Sequence, residues 1–150
     1  MKSKIDYLLK HNYSTIDLVV QSHILNHICV LVSGYLEKEL QNILEEYKQS
    51  SHYTTHECKK NIKSMRKIQN ARWCSIRPVF ANIDKSIVQR LNRYKNSDLI
   101  ISSIDNIVQT RHKVAHGEDV TNLTIEILKE DFKNIQKFIK SLKKIFISLN

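Results

Sequence analysis

The residues with the clearest chemical potential are Arg111-His112-Lys113-Val114-Ala115-His116-Gly117, closing an otherwise apolar stretch. A guanidinium is permanently cationic and suits a phosphate, while an imidazole exchanges protons readily near neutral pH. Together they can hold a phosphodiester and move its protons. Cleaving RNA this way needs a base for the 2′-hydroxyl, an acid for the leaving 5′-oxygen and cationic support for the charge on phosphorus. On one helix, His112 and His116 lie near one face, whereas Arg111 and His116 diverge by roughly 140°. Two antiparallel copies of the helix meeting at a two-fold axis would bring two arginines and two histidines around one groove.

The element carrying this segment must be a helix. Ile100, Ile104 and Ile107 follow helical steps that land on Arg111. The cation thus continues an apolar row, where burial without a partner is costly. A carboxylate or a phosphate is implied. Ser97 is the expected N-cap, Asp98 favours the helix start, and Gly117 suits a left-handed C-cap.

The positioning elements follow from the same periodicity. A short helix is expected over Lys2 to His11, then Ser14 or Thr15 as a cap with Asp17 favouring the next start. Apolar residues from Leu18 to Leu44 predict one long helix to about Tyr47, or two joined by a kink near Ser33-Gly34. Gly34 would also admit a close helix neighbour. After a polar linker, Thr54 or Thr55 can cap a basic helix through Lys59, Lys60, Lys63, Arg66, Lys67 and Arg72. Trp73 to Pro78 reads as a break, Val79 to Tyr94 as an amphipathic helix, and Glu118 to Thr124 as a loop. A last amphipathic helix is expected from about Ile127 to Leu149. With two glycines and one proline in 150 residues, breakers are too few for a turn-rich β protein. The expectation is a single all-α domain over 1–150, a compact bundle of five to six helices.

Composition narrows the partners only in part. The formal charge of +9, from 24 basic and 15 acidic residues, suits an anionic partner such as nucleic acid. Three cysteines without a tight pair suggest a reducing compartment, and the expected location is cytoplasmic. The run from Ile16 to Val32 carries Asp17, Gln21, Ser22, His23, Asn26 and His27, so no membrane span is expected. His112 with His116, and His23 with His27, are each half of a zinc site, and His52, His56 and Cys58 form a third cluster. Zinc wants three or four ligands, and no Cys-x2-Cys or His-Glu-x2-His pattern accompanies them, so no metal and no cofactor are expected. His23 and His27 are expected to pack on a mixed helix face, and Cys29 to be a buried thiol. The basic helix could guide an RNA backbone with Trp73 stacking on a base; the competing reading is a solvated face with the indole anchored in the core.

The RHKVAHG segment resembles the Arg-polar-xxx-His motif of the HEPN ribonuclease superfamily, and LVSGYLEKEL (Leu31 to Leu40) is similar to the small-pair, aromatic and glutamate segment of its long helix. The chain most resembles the stand-alone RiboL-PSP-HEPN and MAE-type branch. That resemblance implies a HEPN-like bundle that dimerises through the motif helices, with Arg111 and His116 catalytic. It further implies His112 as the accessory polar residue and Glu37 as a group that orients the arginine. The branch that acts as the toxin of a nucleotidyltransferase antitoxin has a tyrosine two positions after the histidine. Here that position is Glu118, so modification at that site is not expected.

The function expected is a homodimeric, metal-independent endoribonuclease, a toxin or antiphage-defence effector with a cognate antitoxin or defence-system partner. The alternative is a non-catalytic helical RNA-binding or protein-interaction module. A third class is a structural subunit whose motif only stabilises a dimer.

Overall fold

A computed structural model describes residues 1–49, 70–118 and 120–149 of the chain. Among these residues it is all-α, with six helices: α1 (Lys2–Lys10), α2 (Leu18–Lys48), α3 (Trp73–Ile83), α4 (Lys85–Asn92), α5 (Ser97–Ala115) and α6 (Ile125–Ile147). Lys59, Lys60, Lys63, Arg66 and Lys67, with Thr54, Thr55, His52, His56 and Cys58, lie outside the described residues.

The core is made where α2, α5 and α6 pack on one another, with α1, α3 and α4 closing its sides. Each long helix contributes one apolar stripe. Ile28, Val32 and Leu36 come from α2, Ile104 and Ile107 from α5, and Ile135 and Leu142 from α6, all buried to 1% exposure or less. Edge-on rings seal the seams, Tyr35 on Phe132 at 5.4 Å and Tyr47 on Phe146 at 5.2 Å between centroids. Lys143 reaches across from α6 to Glu39 on α2, Nζ to Oε2 2.7 Å. By length and composition alone α2 would also suit a membrane, since Leu18–Tyr47 has a mean hydropathy of 1.3 in its most apolar window. Its buried stripe packs against α5 and α6, as one of the three helices that build the core.

The helix ends depart from the sequence reading in instructive ways. Asp17, not Ser14 or Thr15, caps α2, its carboxylate accepting from the Val19 and Val20 N–H groups at 2.9 and 3.3 Å. No break occurs at Ser33-Gly34, and α2 runs unbroken through both. Nor does a neighbour approach Gly34, where an added Cβ would meet nothing within 4 Å. Pro78 lies inside α3, not in a break or a first turn; α3 begins at Trp73 because the Asp105 side chain of α5 accepts the Trp73 N–H at 2.7 Å. Val79 to Tyr94 is divided at Asp84, whose carboxylate caps α4 through the Ser86 N–H at 2.6 Å. The residue before α5 is Asn96, in the left-handed region at φ 65°, so Ser97 is already helical rather than the cap.

Candidate active site at the end of the motif helix

His112 sits in the last turn of α5, Arg111 immediately before that turn and His116 just past the helix end. What fixes them is the way the helix stops. Gly117 takes φ +70°. Its N–H donates to the Val114 carbonyl at 3.2 Å, and the Glu118 N–H donates to the Lys113 carbonyl at 3.0 Å. This pair of bonds is the Schellman arrangement that glycine permits at a helix terminus. His116 is the residue held between helix and turn, its own N–H bonded to the carbonyls of His112 and Lys113 at 3.1 and 3.0 Å.

The two imidazoles meet. The rings of His112 and His116 lie edge to face with centroids 4.3 Å apart, both exposed to solvent. That follows from their four-residue spacing on one face. Arg111 points elsewhere: it is half-buried in the row after Ile104, Ile107 and Val108, towards α2. Glu37 on α2 lies within electrostatic range of it. Burial pushes the Glu37 carboxyl above its usual range, and the Arg111 charge pulls it part of the way back. Yet Glu37 Oε1 is buried with no hydrogen-bond partner. Among the described residues, Arg111 forms neither a hydrogen bond nor an ion pair, so its guanidinium is free to take a ligand oxygen.

Behind Arg111, the Cys29 thiol of α2 donates to the Ile107 carbonyl at 3.5 Å, and burial raises it to about 12. It is the buried thiol the sequence suggested, inert as a nucleophile. Where α5 meets α6, Asp131 of α6 accepts from Asn106 at 2.6 Å, and Asn134 donates to Ser103 at 3.1 Å. These bonds fix how α5 is rotated on α6, and with it the direction in which Arg111 leaves the helix. No short pattern in the sequence announces this seam.

Trp73 is half-buried and packs edge-on against Phe138, centroids 6.3 Å apart, the core-anchored of its two expected roles. His23 and His27 do not pack on a mixed face; both are exposed. With Asn26, they line a cavity of about 730 Å³ between the first turns of α2 and the end of α5, closed by Val114, Gly117 and Glu118. A neighbouring cavity of about 430 Å³ shares Leu18, Ser22, Asn26 and Val120 with it. Among the described residues, no group of three or more His, Cys, Asp or Glu is assembled to hold a metal ion.

A family model described as RiboL-PSP-HEPN matches residues 2–148. No curated protein and no solved structure matches the chain.

Proposed function

We propose, from the premise that this chain belongs to the RiboL-PSP-HEPN family, that it is a metal-independent endoribonuclease acting as a homodimer. HEPN domains are often ribonucleases, and membership supports an RNA-related role. The observation that carries the finer reading is the meeting of His112 and His116 at 4.3 Å, beside an Arg111 that forms no hydrogen bond or ion pair among the described residues.

In this reading one imidazole takes the proton of the ribose 2′-hydroxyl. The 2′-oxygen bonds to phosphorus while the bond to the 5′-oxygen breaks, and a second imidazole hands that oxygen a proton. The products are a 2′,3′-cyclic phosphate and a 5′-hydroxyl, and neither proton transfer asks for a metal. Arg111 offsets the negative charge that builds on the phosphoryl oxygens. Because Arg111 leans towards α2 while the imidazoles face solvent, a single chain presents them to different sides. A second copy docked on the same helix end supplies the missing direction. Biologically, the proposal is a cytoplasmic toxin or antiphage effector restrained by a partner protein.

The test is wild-type and His116→Ala protein incubated with total RNA in EDTA. Wild type should cut and the variant should lose at least a hundredfold, in line with the ~10²–10⁴-fold contribution of a general acid or base. Cleavage by the variant at the wild-type rate and equal purity removes the assignment. Salt-sensitive RNA binding without products, by wild type at high concentration, would select the binding module instead.

A further inference from the structure

The chemistry above uses nothing from α6, yet the structure gathers five lysines of that helix on one surface. We propose that Lys129, Lys133, Lys137, Lys140 and Lys144 form a phosphate-binding ridge that holds a single-stranded RNA by its backbone, beyond the bond that is cut. The proposal rests on the RNA-directed reading of the motif and adds no group to its proton transfers.

Spacing comes first. The five lysines follow one another at intervals of four, four, three and four residues. At ~100° per residue they fall within an arc of ~80°. All five are exposed, on the side of α6 opposite the buried stripe of Leu128, Ile135, Ile139 and Leu142. From Lys129 to Lys144 the ridge runs for fifteen residues, or ~22 Å at the helical rise of ~1.5 Å. A stacked strand carries one phosphate per ~3.4 Å, so about six phosphates face the ridge.

Charge points to the same ligand. From Phe132 to Asn150 the sequence has five lysines and no acidic residue. Lys143, which lies off the ridge, is the one held by a carboxylate of another helix, Glu39 at 2.7 Å. On the ridge, Lys133 lies 3.7 Å from Glu130 in an exposed contact that solvent screens. Lys137 Nζ donates to Asn134 Oδ1 at 3.0 Å. Lys129, Lys140 and Lys144 have no ion pair or side-chain hydrogen bond among the described residues. Like charges one turn apart oppose the helix that carries them. A polyanion laid along the ridge relieves that repulsion and releases its own condensed counterions. Direction follows from the seam. Asn106 bonds Asp131 and Asn134 bonds Ser103, so α5 and α6 run antiparallel. Lys129 is therefore the ridge residue nearest the end of α5 that carries His112 and His116, and Lys144 the farthest. A strand cut at that end can continue along α6, on a surface that positions phosphates without reading bases.

The probe is a labelled 2′-O-methyl strand of about twelve nucleotides, which lacks the hydroxyl that cleavage requires. Its binding anisotropy is read against salt concentration for wild type and three triple variants. The first replaces Lys133, Lys137 and Lys140 by glutamine, and the second replaces the same three by arginine. The third replaces Lys2, Lys4 and Lys10, exposed on α1, by glutamine and so removes equal charge elsewhere. The plot of log affinity against log salt should be shallower by ~2 in the first variant, at ~0.7 per lysine lost. The second and third should keep the wild-type slope. The first should melt no lower than wild type, because its change removes repulsion. An unchanged slope in the first variant, or an equal loss in the third, overturns the ridge. So does an arginine variant that binds as poorly as the glutamine one. A first variant that loses binding to phosphatidylserine vesicles but keeps the RNA slope overturns it too, and gives the surface to a membrane. The two readings fail separately. Ridge-dependent binding, with no cleavage of the matching unmodified RNA by wild type, removes the nuclease and leaves the ridge. Cleavage by wild type, with a slope that the first variant does not change, removes the ridge and leaves the nuclease.

Discussion

Replacing Gly117 by alanine asks whether the histidine is held by the backbone turn that ends its helix. A Cβ would meet nothing within 4 Å, so space costs nothing and the whole penalty lies in φ +70°. For an L-residue that region costs about 1–2 kcal/mol. The chain can bear this, or it can fray the last turn and give up the Gly117 to Val114 and Glu118 to Lys113 bonds of 3.2 and 3.0 Å. Each bond contributes about 0.5–1.5 kcal/mol net, so the two routes cost similar amounts and both should be populated. In a chain of 150 residues, about 1 kcal/mol corresponds to ~2–4 °C. The melting temperature of Gly117→Ala should therefore fall by ~2–8 °C. The frayed population also releases His116, whose N–H bonds belong to the same turn. RNA cleavage should drop about two- to tenfold at a temperature where both proteins are fully folded, a difference of up to ~1.4 kcal/mol between the two routes. Gly117→Asn should recover most of both losses, because asparagine tolerates the left-handed region. Calorimetry and initial rates decide it. An alanine variant that melts and cuts like wild type would refute the claim that this turn holds His116, and an asparagine variant as poor as alanine would shift the cause from φ to side-chain size.

Gly34→Ala should act in the opposite direction. It lies inside α2 facing open space, so the gain in helix propensity of about 0.5–1 kcal/mol should raise the melting temperature by ~1–4 °C. A decrease in calorimetry would mean that something packs against that helix face in solution. The carboxyls of Glu37 and Asp131 are both raised by burial, so the folded chain binds their protons more tightly than the unfolded one. The stability they contribute is full below their ordinary values of 4.5 and 3.8 and is lost as pH climbs through the raised ones. Urea midpoints across pH 3.5 to 7 should show Glu37→Gln gaining on wild type as pH rises; a gain towards acid would contradict the burial.

Much of this fold was readable because its long helices obey one period. The row Ile100, Ile104, Ile107 places Arg111 at a core edge, and Gly117 announces its left-handed turn through the absence of a side chain. Caps were harder. Ser14, Thr15, Asp17 and Ser97 all carry oxygens able to cap, and which one does depends on where the chain enters the helix, a matter of packing. Pro78 inside α3 and the division at Asp84 were illegible for a similar reason. The α3 start is tied down by Asp105, thirty-two residues away, and local propensity carries no trace of that bond. The candidate site divides along the same line. Arg111, His112 and His116 are neighbours in sequence and could be found there. The cavity beside them joins Leu18, His23, Asn26 and His27 to Val114 and Gly117, about ninety positions apart, and only folding sets them face to face.

Both ends of α5 are closed by residues in the left-handed region, Asn96 before it and Gly117 after it. A helix bounded in this way behaves as a ruler of 19 residues. One amino acid added or removed ahead of Arg111 would swing the guanidinium by ~100°, off the face that looks at Glu37. Substitutions along α5 can thus be absorbed one at a time, but changes in its length cannot, and natural insertions in this lineage should fall between helices and spare this one.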